Sequence, residues 1–240
     1  MQYKPNFGKT IARGVGGTVY DRYPIHTHFI SVGEDLPALV RRYVGPDWHP
    51  GDFVSISEKI VSLCEKNILY KKDLQITCLA KFLARFASQS DRGIGVNNVY
   101  KMQAAIQLKG RAKILWAAVC GGVGKLFGVP GLFYRVAGPE ISGMDGFYGK
   151  MFSDYGEFGI LLPRHPGDTC RRIEEETGIP CMIVDANDFG VEILGSSGIG
   201  LPEETLCEII RDNPANNGDE LTPFVLIRPQ TVKNAGHCVV

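Results

Sequence analysis

The stretch 181-CMIVDANDFG-190 opens with four apolar residues that break off at once into Asp185, Ala186, Asn187 and Asp188. A continuous apolar run this short, closed by polar turn formers, reads as a strand buried on both faces, with the polar cluster marking where it emerges. Just upstream, Asp168 or Thr169 caps a helix through Glu176 that closes with Gly178 and Pro180. Glycine supplies the left-handed residue a helix end needs, and proline cannot continue the helix. Downstream, Val191 to Leu194 stays extended, Pro202 to Asp212 reads as a helix and Pro223 to Ile227 as a last strand.

Working towards the N-terminus, strands and helices still alternate, but unevenly. Residues 121–150 are dense in glycine and aromatics, a composition that favours loops shaped around something. Before them, Ala112 to Val119 reads as a buried strand, and Asn97 or Asn98 caps a helix that ends near Gly110. Between Asp73 and Ser88, Leu74, Cys78, Phe82 and Phe86 recur every four positions with Leu79 and Leu83 alongside, the wide apolar face of a packing helix. Asp52 to Ser57 is a strand running into Glu58-Lys59-Ile60-Val61-Ser62. Glu34 to Tyr43 is a short helix, and Ile25 to Val32 an apolar stretch. Residues 1–23 form an arm or a first edge strand, 24–229 the main domain with room for two subdomains, and 230–240 a flexible tail. The class expected is α+β, with mixed sheets and helices, in preference to a regular doubly wound sheet.

Composition narrows the function classes. Lys plus Arg and Asp plus Glu both number 26 in 240 residues, so no overall excess of positive charge favours a nucleic-acid or membrane partner. Seven cysteines are scattered without a CxxC pair, which suggests neither a zinc site nor a disulfide framework. The first residues lack the apolar core of a signal peptide, and no stretch reaches the roughly 18 apolar residues of a spanning helix. A cytoplasmic enzyme or binding protein is the class expected.

Four constellations could carry chemistry. Asp185, Asn187 and Asp188 place oxygen ligands at a strand end, where a hard cation such as Mg²⁺ or Mn²⁺ would be held; a plain turn would use the same residues. Gly143-Met144-Asp145-Gly146 sets Asp145 between glycines, leaving room for a metal–phosphate complex, and also suits an ordinary Asp-Gly turn. Gly121-Gly122-Val123-Gly124-Lys125-Leu126 invites comparison with a P-loop, but Val119 and Leu126 stand where Gly and Ser or Thr are required. Lys125 remains a candidate phosphate contact on a loop of backbone amides. His26 and His28 would share one face of a strand, a pair that can bind metal or simply be two hydrogen-bonded surface histidines.

Five segments, in order, resemble the coenzyme F420-0:γ-glutamyl ligase family. Gly33-Glu34-Asp35-Leu36 resembles its Gly-Asp-Asp-Leu, which puts His28, Phe29, Ile30 and Ser31 on the preceding nucleotide-contacting loop. Pro50 through Ser62 is similar to its Gly-Asp strand and Gln-Lys-Ile-Val-Ser-Lys stretch, with Glu58 and Lys59 in the matching places. Ser142-Gly143-Met144-Asp145 resembles its Ala-Gly-Ile-Asp metal turn. Leu161-Leu162-Pro163 with the helix that follows resembles its Leu-Leu-Pro strand and Arg-Arg-Ile helix, and Ile183 through Gly190 its Ile-Ser-Asp-Thr-Phe-Gly site.

That resemblance implies an intertwined homodimer of mixed α/β subunits. Its cofactors would be GTP as co-substrate, Mg²⁺ or Mn²⁺, and a monovalent cation such as K⁺. The partners implied are a small-molecule carboxylate acceptor and L-glutamate, with metal held by Asp145 and by Asp185, Asn187 or Asp188. This chain departs from the pattern at Leu63, where the family has Lys, and at Val191-Glu192-Ile193-Leu194, where it has Arg-Pro-Phe-Arg. These positions touch the substrate side, so the acceptor expected is F420-0 or another carboxylate compound.

Overall fold

The computed structural model describes residues 3–87, 96–147, 156–187, 190–216 and 220–230. Its elements run β1 (Ala12–Val15), β2 (Thr18–Ile25), α1 (Leu36–Tyr43), β3 (Phe53–Ser57), α2 (Glu58–Cys64), β4 (Ile68–Tyr70), α3 (Cys78–Phe86), α4 (Val99–Lys109) and α5 (Arg111–Leu126). They continue with α6 (Leu132–Ala137), α7 (Pro139–Ser142), β5 (Asp145–Gly146), β6 (Phe158–Ile160), α8 (Pro166–Thr177), β7 (Cys181–Asn187), β8 (Gly190–Ser196), α9 (Glu203–Ile210) and β9 (Phe224–Pro229). The class is α+β, as the uneven alternation suggests.

The chain divides into two compact units, Met1–Glu65 with Pro163–Val240, and Lys66–Leu162. The first holds a six-stranded mixed sheet in the order β1-β2-β9-β3-β7-β8. β3 runs antiparallel to β9 and parallel to β7. It is buried almost throughout, Ser55 included, because both its faces are covered. Alternation along the strands separates two cores. Phe53, Met182, Val184, Val225 and Ile227 meet Leu206, Ile209 and Ile210 of α9. Cys181 lies on the other side, its thiol reaching the carbonyl of Cys170 in α8, and α1 packs on α8. Residues 1–23, expected as an arm or first edge strand, supply β1 at the sheet edge and most of β2.

Helix ends in this unit follow the sequence. Asp35 caps α1 by accepting from the Ala38 amide at 3.0 Å. α8 ends at Gly178 with φ +76°, and it begins two residues ahead of the expected cap because Pro166 fits the first helical position.

The second unit pairs a small sheet, β4-β6-β5, with helices α3 to α7. Here the sequence reading fails in two places. Residues 112–119, expected as a strand, are the middle of α5, and the glycine-rich loop expected from 121 is the end of that helix followed by α6 and α7. The glycines serve close packing: a Cβ on Gly124 would stand 2.7 Å from the Val129 carbonyl oxygen, and one on Gly121 would stand 3.0 Å from the Phe133 Cβ. α3 forms where expected, with Thr77 as its cap, but it buries Ala80, Leu83 and Ala84 and leaves Phe82 and Phe86 exposed. The tail beyond 230 lies outside the described residues.

Candidate functional site

In the first unit the parallel pairing of β3 with β7 ends at Ser57 opposite Val184; β3 stops there, while β7 runs on beside β8 to Asn187. Directly past that last pair stand Glu58 and Lys59, which open α2, and Asp185, which continues β7. Carboxyl ends of neighbouring parallel strands are where ligands collect in sheets of this kind. All three side chains are half-buried, and each already takes part in a polar interaction of the fold.

The register adds a residue that sequence reading treated only as a departure. Asp185 pairs directly across the β7–β8 ladder with Glu192. Val184, Ala186, Val191 and Ile193 belong to the core under α9, so Asp185 and Glu192 share the opposite face. Directly opposed like charges on a ladder repel, by about 0.2–1 kcal/mol in measured pairs. A cation between them would reverse the sign. Asn187 ends β7 opposite Gly190, and Asp188 lies outside the described residues.

The segment after β2 leaves the sheet at Ile25, so His26 and His28 do not share a strand face. It is organised by Glu34, whose carboxylate accepts from the Ser31 amide at 2.5 Å and lies 2.9 Å from His28 Nε2. The other ring nitrogen of His28 lies 2.5 Å from the Tyr43 hydroxyl, and the two rings stack at 5.7 Å. Gly33 donates to the carbonyl of Leu63 at 2.9 Å, tying this loop to the end of α2. Of the four residues on the loop expected to contact nucleotide, His28, Phe29 and Ser31 are exposed, while Ile30 is buried in the core. Leu63 is itself fully buried, so the position that carries Lys in the resembling family is a packing position here.

In the second unit Asp145 opens β5, half-buried, with its carboxylate accepting from the Gly146 amide at 2.9 Å. The backbone around it is unusual. Gly146 has φ +85° and the buried Phe147 has φ +54°, a left-handed conformation that bulky residues rarely adopt. Such strain persists only where the surroundings enforce it and gathers at functional turns. Here the buried Lys101 donates to the Met144 carbonyl at 3.0 Å, Phe147 stacks on Tyr100 at 6.0 Å, and a Cβ on Gly146 would meet the Phe158 carbonyl at 2.5 Å. Lys101 was not singled out from the sequence, where a lysine at helical spacing reads as solvated surface.

Lys125 occupies an exposed position in the last turn of α5. The amides of 121–124 are spent within the helix, so no cradle of free amides forms there. Among the described residues no group of three or more His, Cys, Asp or Glu gathers as a cage for a metal ion. Mg²⁺ bound with a nucleotide does not need one, since one or two carboxylates suffice when phosphate oxygens and water complete the octahedron. Asp185 with Glu192, or Asp145, fits that demand.

No cysteine near these positions is set up as a nucleophile. Burial, with Glu34, Asp35 and Glu65 adding, pushes the Cys64 thiol up to about 12. Glu65 accepts instead from the Arg164 amide and the Thr169 hydroxyl, each at 3.0 Å, fastening α2 to the start of α8. No family model and no curated protein matches the chain.

Proposed function

We propose that this protein is a cytoplasmic, homodimeric acid–amino-acid ligase of the F420-0:γ-glutamyl ligase type. It would use GTP and Mg²⁺ or Mn²⁺ to join L-glutamate, or a similar amino acid, to a carboxylate acceptor. The observation that carries the reading is the point where β3 stops beside β7: Glu58 and Lys59 follow Ser57, Asp185 follows its partner Val184, and Glu192 faces Asp185.

In the reaction, an acceptor carboxylate oxygen attacks the γ-phosphorus of GTP, releasing GDP and giving an acyl phosphate. The amine of glutamate then attacks the acyl carbon, forming the amide, releasing phosphate and giving up a proton. Phosphoryl transfer asks the protein for positioning and for neutralised charge more than for covalent help. Lys59 brings a cation to the end of β3, and Asp185 with Glu192 in the first unit, or Asp145 in the second, would hold the metal. When bound, the metal would neutralise phosphate charge. Asp185→Asn tests the assignment. Metal-dependent GTP binding should weaken with the fold intact by circular dichroism, and unchanged binding would remove Asp185 from the site.

A second reading, a nucleotide- or phosphometabolite-binding protein without turnover, is favoured by the buried Leu63 in place of a cation. Tight GTP binding with no glutamate-dependent phosphate release, over a panel of carboxylate acceptors, would select it.

A further inference from the structure

We infer that the outer face of α5 and the turn that follows it form a docking surface for an anionic lipid bilayer, lying on the membrane and not crossing it. At 3.6 residues per turn, Leu115, Trp116, Val119, Val123 and Leu126 fall on one side of α5, opposite the buried Ile114, Ala117 and Gly124. That outer side is open: Trp116 is 63% exposed, Val119 57% and Leu126 84%, and Phe127 just beyond is 79% exposed. A helix that buries a narrow stripe and turns a wider apolar face outward has an unfilled partner.

Charge selects the partner. From Arg92 to Pro139 the sequence holds seven Lys or Arg and no Asp or Glu, although the whole chain is balanced. On the helical wheel Arg111 and Lys125 flank the apolar face on one edge and Lys113 on the other, all exposed. Lys109 is bonded to Glu140 at 2.5 Å, and Lys113 also acts on that carboxylate. Arg111 and Lys125 form no ion pair among the described residues. A second copy docked through the same face would bring these cations together, because a two-fold interface sets each patch against itself.

An anionic bilayer satisfies both halves at once. Apolar side chains enter the headgroup boundary while Lys and Arg stems reach back to lipid phosphates, with an indole at the level where Trp is favoured. The five described helices of this unit include none long and apolar enough to span, which fits a surface-bound arrangement.

Vesicle co-sedimentation of the full chain tests this without nucleotide, so its outcome is separate from the ligase reading. The protein should sediment with phosphatidylcholine–phosphatidylglycerol vesicles, weakly with phosphatidylcholine alone, and less as salt rises. Arg111→Gln, Lys113→Gln and Lys125→Gln should each lower partitioning about fivefold. The triple change Trp116→Ser, Leu126→Ser, Phe127→Ser should abolish it while circular dichroism stays unchanged; if that variant does not fold, the Gln series carries the test. Absence of sedimentation with anionic vesicles overturns the proposal. So does a serine variant that converts an oligomer to a monomer by light scattering while vesicle binding is absent, or binding to soluble polyglutamate but not to vesicles; these would assign the face to a second copy or to an acidic protein.

Discussion

Asp212→Asn should measurably destabilise the first unit. Arg22 is fully buried on β2, and its guanidinium is held by Asp212, whose two oxygens it engages, by the Thr10 carbonyl at 2.6 Å and hydroxyl at 3.1 Å, and by the Ile209 carbonyl at 3.0 Å. Removing one partner of a buried pair strands the other charge, typically at roughly 3–5 kcal/mol. Asp212 is about a third exposed and Asn keeps one acceptor, so we expect about 2 kcal/mol. The variant is best studied with Trp116→Phe, so that the remaining tryptophan, Trp48, reports this unit alone during urea unfolding. The midpoint should fall with an unchanged slope.

The pH dependence of the same pair has a fixed sign. Burial works to raise the Asp212 carboxyl, but the Arg22 hydrogen bond and charge, with Arg13 adding, outweigh it and hold the group below its ordinary 3.8. A carboxyl depressed in the folded state contributes stability above its unfolded value and loses it as pH falls through the folded one. The gap between wild type and Asp212→Asn should therefore be full at pH 6 and shrink below about pH 4. A gap under about 0.5 kcal/mol at pH 6, or one that does not narrow in acid, refutes the reasoning.

Three further predictions follow from packing and placement. Gly122→Ala, whose Cβ would meet nothing within 4 Å, should stabilise the second unit by about 0.5–1 kcal/mol as helix propensity rises, whereas Gly124→Ala should cost about 1–3 kcal/mol through its clash with the Val129 carbonyl; equal thermal shifts would contradict the close packing of α5. Among the described cysteines Cys78, which is exposed, should label first with a maleimide and the buried Cys170 and Cys181 only after unfolding, as peptide mass spectrometry can follow. Asp145→Ala should remove metal-dependent nucleotide binding while leaving the unfolding free energy within about 1 kcal/mol of wild type; a collapsed fold would mean that the strained turn, not a ligand, accounts for that carboxylate.

What could be read from the sequence depended on whether burial left a period. Cys181 to Val184 is buried and follows Pro180, so run length identifies the start of β7, but the strand continues through Asp185 to Asn187, where the polar residues suggested that it had ended. α1, α4 and α8 carry caps that mark their ends: Asp35, Asn98 and Gly178. α5 defeats the same reading because Ile114 and Ala117 point in while Leu115, Trp116 and Val119 point out, leaving an apolar run with no polar face to reveal the turn. Gly121 and Gly124 suggested a loop, and the reason for them is a neighbouring helix that only the folded chain brings near. The opposition of Asp185 and Glu192 depends on strand register, which residue identity does not encode locally. Net charge concealed the basic stretch before Glu140 because it averages over both units.

The measurement that bears most directly on the account is titration calorimetry of GTP into the full chain with Mn²⁺, repeated with chelator and with Asp185→Asn. The account predicts saturable binding that disappears with chelator and weakens about tenfold or more in the variant, as loss of one charge-assisted contact implies. GTP that does not bind, or that binds equally well without metal and without Asp185, would contradict it.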